Sequence, residues 1–174
     1  MPGRSRTVAL GGLLAALGWL LLLFTLLLPT GRLFLLTLAS FLLVIAWAEL
    51  SPPYAVVLWV AVSVLGLIYP GLFPTAFYLV FFGPAPLLSL FLARHARGLR
   101  LWLLRHLLLT LLVAGGAAAI GLPNVLVKPD ALSWSQVWLL LLVLLQAFFV
   151  AYEFLLRAFA RFWVERVRPG TSLR

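Results

Sequence analysis

The chain has no cysteine and few acidic residues, and each scarcity excludes a class of protein or site. Without cysteine, structural disulfides and thiolate metal sites are excluded. Asp and Glu number only 4 in 174 residues, against 13 Lys and Arg, and all charged residues together make up 10% of the chain. A sequence that is 65% hydrophobic with so little charge lies outside the range of soluble globular domains.

The chain contains long stretches without any charged residue. The segments 7–28 and 131–152 contain no charged residue. A helix needs about 20 apolar residues to cross a hydrocarbon core about 30 Å thick. The sequence therefore predicts an all-α, polytopic membrane bundle in contact with the lipid bilayer, with residues 1–174 forming a single integral membrane domain.

Turn signals and charged loops divide the chain into six predicted transmembrane helices. Their approximate bounds are 7–28, 33–50, 54–69, 72–93, 102–122 and 134–157, followed by a basic cytoplasmic tail over 158–174. Spans two and three are short, so a re-entrant hairpin is an alternative to two full crossings. Within span four, Gly83-Pro84-Ala85-Pro86 predicts a kink or break, because proline lacks the backbone N–H that a helix interior requires.

The positive charges predict the orientation of the bundle. With both termini in the cytoplasm, the cytoplasmic flanks hold all of the 13 Lys and Arg except Arg32 and Lys128. This asymmetry follows the positive-inside rule and predicts a multi-pass protein of the bacterial cytoplasmic membrane. The sequence pI near 11.5 could indicate nucleic-acid binding, but no basic face with interleaved aromatics lies outside the membrane flanks, so nucleic acid is not expected as a partner.

Polar residues inside the predicted spans are few. Gln146 lies at the middle of span six, where its amide needs a hydrogen-bond partner on another helix or contacts a ligand. His95 and His106 lie near the basic loop without an adjacent Asp, Glu or Cys, so no metal site is expected. No nucleophile–base pair is evident and the titratable groups are not expected to converge, so we predict no catalytic residue, no cofactor and no enzyme activity.

Glu153, Arg157, Arg161 and Glu165 recur every four residues and therefore share one helix face. Pairing within this stripe, in solvent or at the lipid headgroups, is the predicted reason for the spacing. A docking surface for a cytoplasmic partner is the alternative.

Small residues on the first helix predict a docking surface. Gly11 and Gly12 precede Ala15 and Ala16 by four residues, so two small-xxx-small patterns overlap and allow close approach of another helix. The segment 115–119 (GGAAA) has a similar character in span five. For each, packing inside the bundle and docking of a partner protein remain alternatives.

The predicted outer half of the bundle holds aromatic and amide side chains. These form either an interfacial aromatic belt or a small-molecule pocket beneath the outer loops. The candidate substrate-binding residues are Tyr78, Asn124, Trp138 and Gln146.

Six helices in under 200 residues, cytoplasmic termini, the small-residue face on helix one and short outer loops resemble the S components of energy-coupling factor transporters. These small membrane subunits capture vitamins or their precursors and dock onto a coupling protein driven by two ATPases. The resemblance implies a substrate-binding membrane subunit of an uptake transporter, with Gly11/Ala15 and Gly12/Ala16 in the place of that family's docking face.

The strings LLPTGRLFLLTLASF, VLGLIYPG, FFGPAPLL and AYEFLLRAFARF also resemble a little-characterised group of short clostridial-type membrane proteins. A second hypothesis is a structural one. The chain is similar in size and charge to the rod-shape MreD family, which acts as a non-enzymatic membrane scaffold for wall-synthesis proteins. In that case the basic tail and the Glu153–Glu165 stripe would be the working surface.

Overall fold

A computed structural model describes residues 4–95, 99–119 and 133–167, and all the regular structure in these ranges is helical. The helices are α1 (Arg4–Leu27), α2 (Arg32–Glu49), α3 (Pro52–Ile68), α4 (Leu72–Phe77), α5 (Pro84–His95), α6 (Leu99–Ala119) and α7 (Trp134–Phe162). A π-helical turn, Tyr78–Phe82, joins α4 to α5, and these three pieces together are named the fourth span. The described ranges thus contain six helices, and the all-α prediction is confirmed.

The helices have the length and apolarity of membrane spans. Four helical stretches are long and apolar enough to cross a membrane: Ser5–Leu27, Arg32–Glu49, Leu72–Leu92 and Ser135–Arg166. Two shorter apolar stretches, Pro52–Ile68 and Trp102–Ala118, correspond to predicted spans three and five. The chain is a small multi-span helical membrane protein.

The last helix extends beyond its predicted end at residue 157. It begins at a capping box, in which the Ser133 side chain accepts from the backbone N–H of Gln136 and the Gln136 side chain accepts from the backbone N–H of Ser133. It then continues for 29 residues, about 44 Å at 1.5 Å per residue, and a π-helical turn follows at Trp163–Val167. Charged residues mark where a helix leaves hydrocarbon, but they do not end it.

Helices α1, α2 and α3 pack closely because glycines remove side chains where the helices meet. A Cβ on Gly18 would lie 2.9 Å from Val62 Cγ2, and one on Gly66 would lie 2.8 Å from Leu22 Cδ1. Leu22 and Leu43 are completely buried in the core around these contacts. In lipid, where burying apolar surface offers no advantage over leaving it in the bilayer, such close packing is a main source of helix association.

The fourth span is interrupted near the position that the sequence predicts. Its break begins at Tyr78, one turn before the prolines, and the Gly83 N–H bonds to the Tyr78 carbonyl at 2.8 Å in place of the α-helical partner. Pro84 then opens α5, where the missing N–H has no intrahelical acceptor to lose. Gly83 is packed against a ring, since a Cβ there would lie 2.1 Å from Trp59 Cδ1.

An aromatic cluster joins the fourth span to α7. Phe81 stacks on Phe149 with ring centroids 5.0 Å apart, and Phe82 meets Tyr152 edge-on at 5.5 Å. All four side chains are buried. Such aromatic pairs contribute packing beyond their area alone, so this cluster places the middle of α7 against the bundle.

Candidate functional site

Gln146 is the centre of a hydrogen-bonded group between α6 and α7. Its Nε2 donates to Thr110 Oγ1 at 2.7 Å, and its Oε1 lies 2.8 Å from His106 Nδ1. Because an amide oxygen only accepts, Nδ1 is the donor in this contact. The Thr110 hydroxyl in turn donates to the His106 carbonyl at 2.7 Å. The prediction that the Gln146 amide finds a partner on another helix is confirmed.

A buried ion pair continues this group toward the far end of α7. Arg105 donates to Glu153 Oε2, and Arg157 donates to Glu153 Oε1, so each carboxylate oxygen has an arginine partner. The Arg105 and Glu153 side chains are only 8% and 11% exposed, whereas that of Arg157 is 62% exposed. A carboxylate and a guanidinium taken out of water need such direct pairing, because each alone would be costly to bury.

The histidine links the two groups. His106 Nε2 lies 3.8 Å from Glu153 Oε2, while its other nitrogen bonds to Gln146. The rings of Trp102 and Phe149 flank the imidazole, with centroids 4.2 Å and 6.0 Å away. We name the set Arg105, His106, Thr110, Gln146, Glu153 and Arg157 the polar network. With Nδ1 facing the Gln146 amide oxygen, Nε2 is the ring nitrogen that lies beside the carboxylate.

This convergence differs from the prediction made from the sequence. Arg105 was expected among the cytoplasmic charges and Glu153 in a stripe in solvent or at the headgroups, whereas the structure buries both within the α6–α7 interface. The i,i+4 contact between Glu153 and Arg157 is confirmed, and Arg161 and Glu165 are exposed as expected. The expectation that titratable groups do not converge is therefore wrong.

A signal for the ion pair was present in the sequence. Arg105 lies three residues inside predicted span five, and Glu153 lies four residues inside predicted span six. Both positions are near the basic ends of antiparallel neighbours, so the two opposite charges fall at the same depth. Matched depth in adjacent spans is a better criterion for such pairs than proximity along the chain.

The structure places the predicted substrate-binding residues in different surroundings. Tyr78 is 1% exposed within the fourth span, Trp138 is 48% exposed on α7, and Gln146 belongs to the polar network. Asn124 lies outside the described residues. A role of these four residues in binding a substrate stays a prediction.

An apolar cleft of about 100 Å³ opens between the fourth span and α6, and none of the predicted substrate-binding residues lines it. Its lining consists of Phe73, Ala76, Phe77, Val80, Phe81, Val113, Gly116 and Ala117. Gly116 allows this approach, since a Cβ there would lie 2.4 Å from Val80 Cγ1. Pockets for drug-sized ligands measure roughly 300–1,000 Å³, so the cleft is smaller than such a pocket.

The predicted docking residues on α1 divide into two pairs. Gly11 and Ala15 are half-buried, with Ala15 packed against the hydrophobic core. Gly12 and Ala16 are exposed, and a Cβ on Gly12 would meet nothing within 4 Å. Only the second pair is therefore accessible to another helix.

Neither the protein-family models nor the curated proteins nor the solved structures contain a match to this chain.

Proposed function

We propose that this chain is a non-enzymatic subunit of a larger membrane complex, and that it captures a small molecule for an uptake transporter of the energy-coupling-factor type. The exposed small-residue face of α1 is the observation that carries the proposal. The architecture of six helices in 174 residues supports the comparison with S components.

The α1 face extends over more residues than the sequence pattern indicated. Ser5, Ala9, Gly12 and Ala16 are all exposed, and their spacing of four, three and four residues places them on one face. This is the spacing of a heptad seam, along which two helices pack at a shallow angle. The larger exposed side chains Leu13 and Leu17 border it, so a partner helix would lie in a shallow groove.

The proposed orientation has both termini in the cytoplasm of a bacterial cell. It rests on the distribution of the 13 Lys and Arg, only two of which fall on the proposed outer side. In that orientation the polar network lies toward the cytoplasmic end of α6 and α7. Reporter enzymes fused after Arg174 should be active in the cytoplasm, and a fusion active only outside would overturn the orientation.

Docking is tested by enlarging the α1 face. Gly12→Leu and Ala16→Leu should abolish co-purification of a coupling protein and its ATPases from native membranes, because the added side chains fill the groove. Ala151→Leu is the matched control, since Ala151 is also exposed but lies on α7. If both α1 variants retain every partner of the unmodified protein, docking through this face is excluded.

Capture is tested separately on the isolated protein. Riboflavin, biotin, thiamine and folate, each added in excess, would be screened for thermal stabilisation, which should reach about 2.7 kcal/mol at a hundredfold excess over Kd. Tyr78→Phe and Gln146→Leu should reduce the response to the active compound. A protein that docks but is stabilised by none of these compounds or their apolar precursors would be a scaffold.

The scaffold alternative, of the rod-shape MreD type, is favoured by one observation. The end of α7 and the π-helical turn after it carry exposed charged side chains, namely Arg157, Arg161, Glu165 and Arg166. For a scaffold, reversing the charges of Arg161 and Glu165 should release wall-synthesis proteins, whereas the Gly12→Leu change should not. The two functions therefore predict opposite sensitivities of the two surfaces.

A further inference from the structure

Two arginine side chains share a single carboxylate at the basic end of α7. Arg105 donates to one oxygen of Glu153 and Arg157 donates to the other, so the three groups together carry one unbalanced positive charge. Among the residues that the structure describes, neither arginine has a second acidic partner. Because Arg105 and Glu153 are buried and Arg157 is exposed, the unbalanced charge is presented at the surface by Arg157.

Arg161 adds a second positive charge to the same surface. It is exposed and follows Arg157 by four residues, so the two side chains are neighbours on one helix face. Within the described ranges Arg161 forms no ion pair, although Glu165 follows it by four residues. Helical side chains tilt toward the helix N-terminus, which brings Arg161 toward Arg157. Phe154 lies three residues before Arg157 and is 70% exposed. We name Phe154, Arg157 and Arg161 the arginine face.

The depth of the arginine face matches the lipid headgroup layer. The uncharged helical stretch 134–152 is about 28 Å long at 1.5 Å per residue, close to the hydrocarbon thickness of about 30 Å. Arg157 and Arg161 lie about 6 Å and 12 Å beyond Glu153 along the helix. Each headgroup layer adds about 5–8 Å to the hydrocarbon core, so Arg157 lies within this layer and Arg161 tilts back toward it.

The opposite side of this helix segment is fixed against the bundle. Ala160 is buried, and the Phe159 ring stacks on Phe41 of α2 with centroids 4.1 Å apart. The Arg157 side chain is also held, because its Nη2 atom donates to Glu153, while its Nε and Nη1 donors are available to a ligand. A side chain that is already positioned loses less conformational entropy when it binds.

We infer that the arginine face binds an anionic phospholipid, with the phosphate between Arg157 and Arg161 and an acyl chain along Phe154. Guanidinium groups bind phosphate oxygens through paired N–H donors, and the anionic headgroup balances the excess positive charge. A zwitterionic lipid offers the same phosphate without the net charge. A free phosphate ion balances the charge but gives Phe154 no apolar partner. The inference is independent of the proposed function, since it needs neither docking nor capture.

Lipid binding is measured on full-length protein that has been delipidated in an uncharged detergent. Titration with phosphatidylglycerol, followed by native mass spectrometry, should show about fivefold weaker binding of the first lipid for Arg157→Gln and for Arg161→Gln, the factor expected for each arginine near an anionic headgroup. Arg6→Gln is the matched control, because it removes the same charge from an exposed position on α1 and should leave this affinity unchanged. Equal affinities in all three variants and the unmodified protein would overturn the inference.

Other ligands separate the sources of the phosphate. Phosphatidylglycerol should raise the thermal midpoint of the unmodified protein, and the rise should be lost in the Arg157→Gln/Arg161→Gln variant. Phosphatidylcholine with the same acyl chains, and inorganic phosphate at the same concentration, should raise the midpoint less. If either raises it as much as phosphatidylglycerol does, an anionic lipid is not the ligand. A double variant that binds phosphatidylglycerol normally but loses a protein partner in native membranes would assign the face to that partner and refute the inference.

Discussion

The first three helices and the last two are held together by different means. Helices α1 to α3 meet through glycines and fully buried aliphatic side chains, such as Gly18 against Val62 and Leu22 in the core. Helices α6 and α7 meet through the polar network, while many of their leucines, including Leu139 and Leu144, are more than half exposed. Since lipid is as apolar as leucine, two helices associate in a membrane through close packing or through hydrogen bonds. In this chain, α1 to α3 use close packing, and α6 and α7 use hydrogen bonds.

The difference teaches where each end of the molecule is sensitive to change. Close packing is spread over many small contacts, so its loss depends on the volume and position of an added group. A network concentrates association in a few atoms, so its loss depends on which partner is left unpaired. Substitutions can therefore distinguish the two ends by the kind of change that harms them.

The largest effect is expected at the buried ion pair. Glu153→Gln should destabilise the protein by about 3–5 kcal/mol, because Arg105 then remains buried without a counter-charge. Reversible unfolding in mixed micelles would measure this, with Arg161→Gln as an exposed control on the same helix. Arg105→Met combined with Glu153→Leu should recover most of the loss. A Glu153→Gln protein as stable as the control would show that the pair does not hold α6 to α7.

Overpacking at Gly83 is expected to have the next largest effect. A Cβ there would lie 2.1 Å from a Trp59 ring atom, so Gly83→Ala should cost about 1–3 kcal/mol. Gly12→Ala is the matched control, because the added Cβ meets open space. The free energy of unfolding of this variant should be unchanged or slightly higher. Equal stabilities for these two variants would contradict the close contact between α3 and the fourth span.

A smaller effect is expected at the neutral part of the polar network. Gln146→Leu and Thr110→Val should show a coupling free energy of about 0.6 kcal/mol in a double-mutant cycle, the usual size for one hydrogen bond between membrane helices. The same cycle between Gln146→Leu and Thr37→Val, whose hydroxyl bonds only to its own helix, should give none. If the two substitutions of the first pair have fully additive effects on stability, the hydrogen bond between Gln146 and Thr110 does not contribute to holding α6 to α7.

The smallest effect is expected at Arg157. Its side chain is 62% exposed, so Arg157→Gln should cost no more than about 1 kcal/mol although it bonds to the same carboxylate as Arg105. The loss should shrink further as the salt concentration rises, whereas that of Arg105→Gln should not. A salt-independent loss at both arginines would mean that they contribute through the same buried environment.

The sequence predicts this fold well because spans depend on local composition. The approximate helix bounds (except the end of α7), an interruption near Pro84 and the need of Gln146 for a partner all follow from local sequence chemistry. The Arg105–Glu153 pair does not, because charges near a span end resemble headgroup anchors until the neighbouring helix is known. Gly12 and Ala16 are exposed whereas Gly11 and Ala15 are half-buried. This difference depends on the rotation of α1 in the bundle, which two identical four-residue spacings cannot reveal.

The π-helical turn at Tyr78–Phe82 makes the fourth span one residue longer than an uninterrupted α-helix over the same path. Deleting a single residue from 78–83 would let the α-helix run through. Everything after the deletion would then turn by about 100° relative to α4, the rotation of one residue in an α-helix. Ala85 and Pro86, now buried, would leave the core. This stretch should therefore tolerate a substitution more readily than an insertion or a deletion.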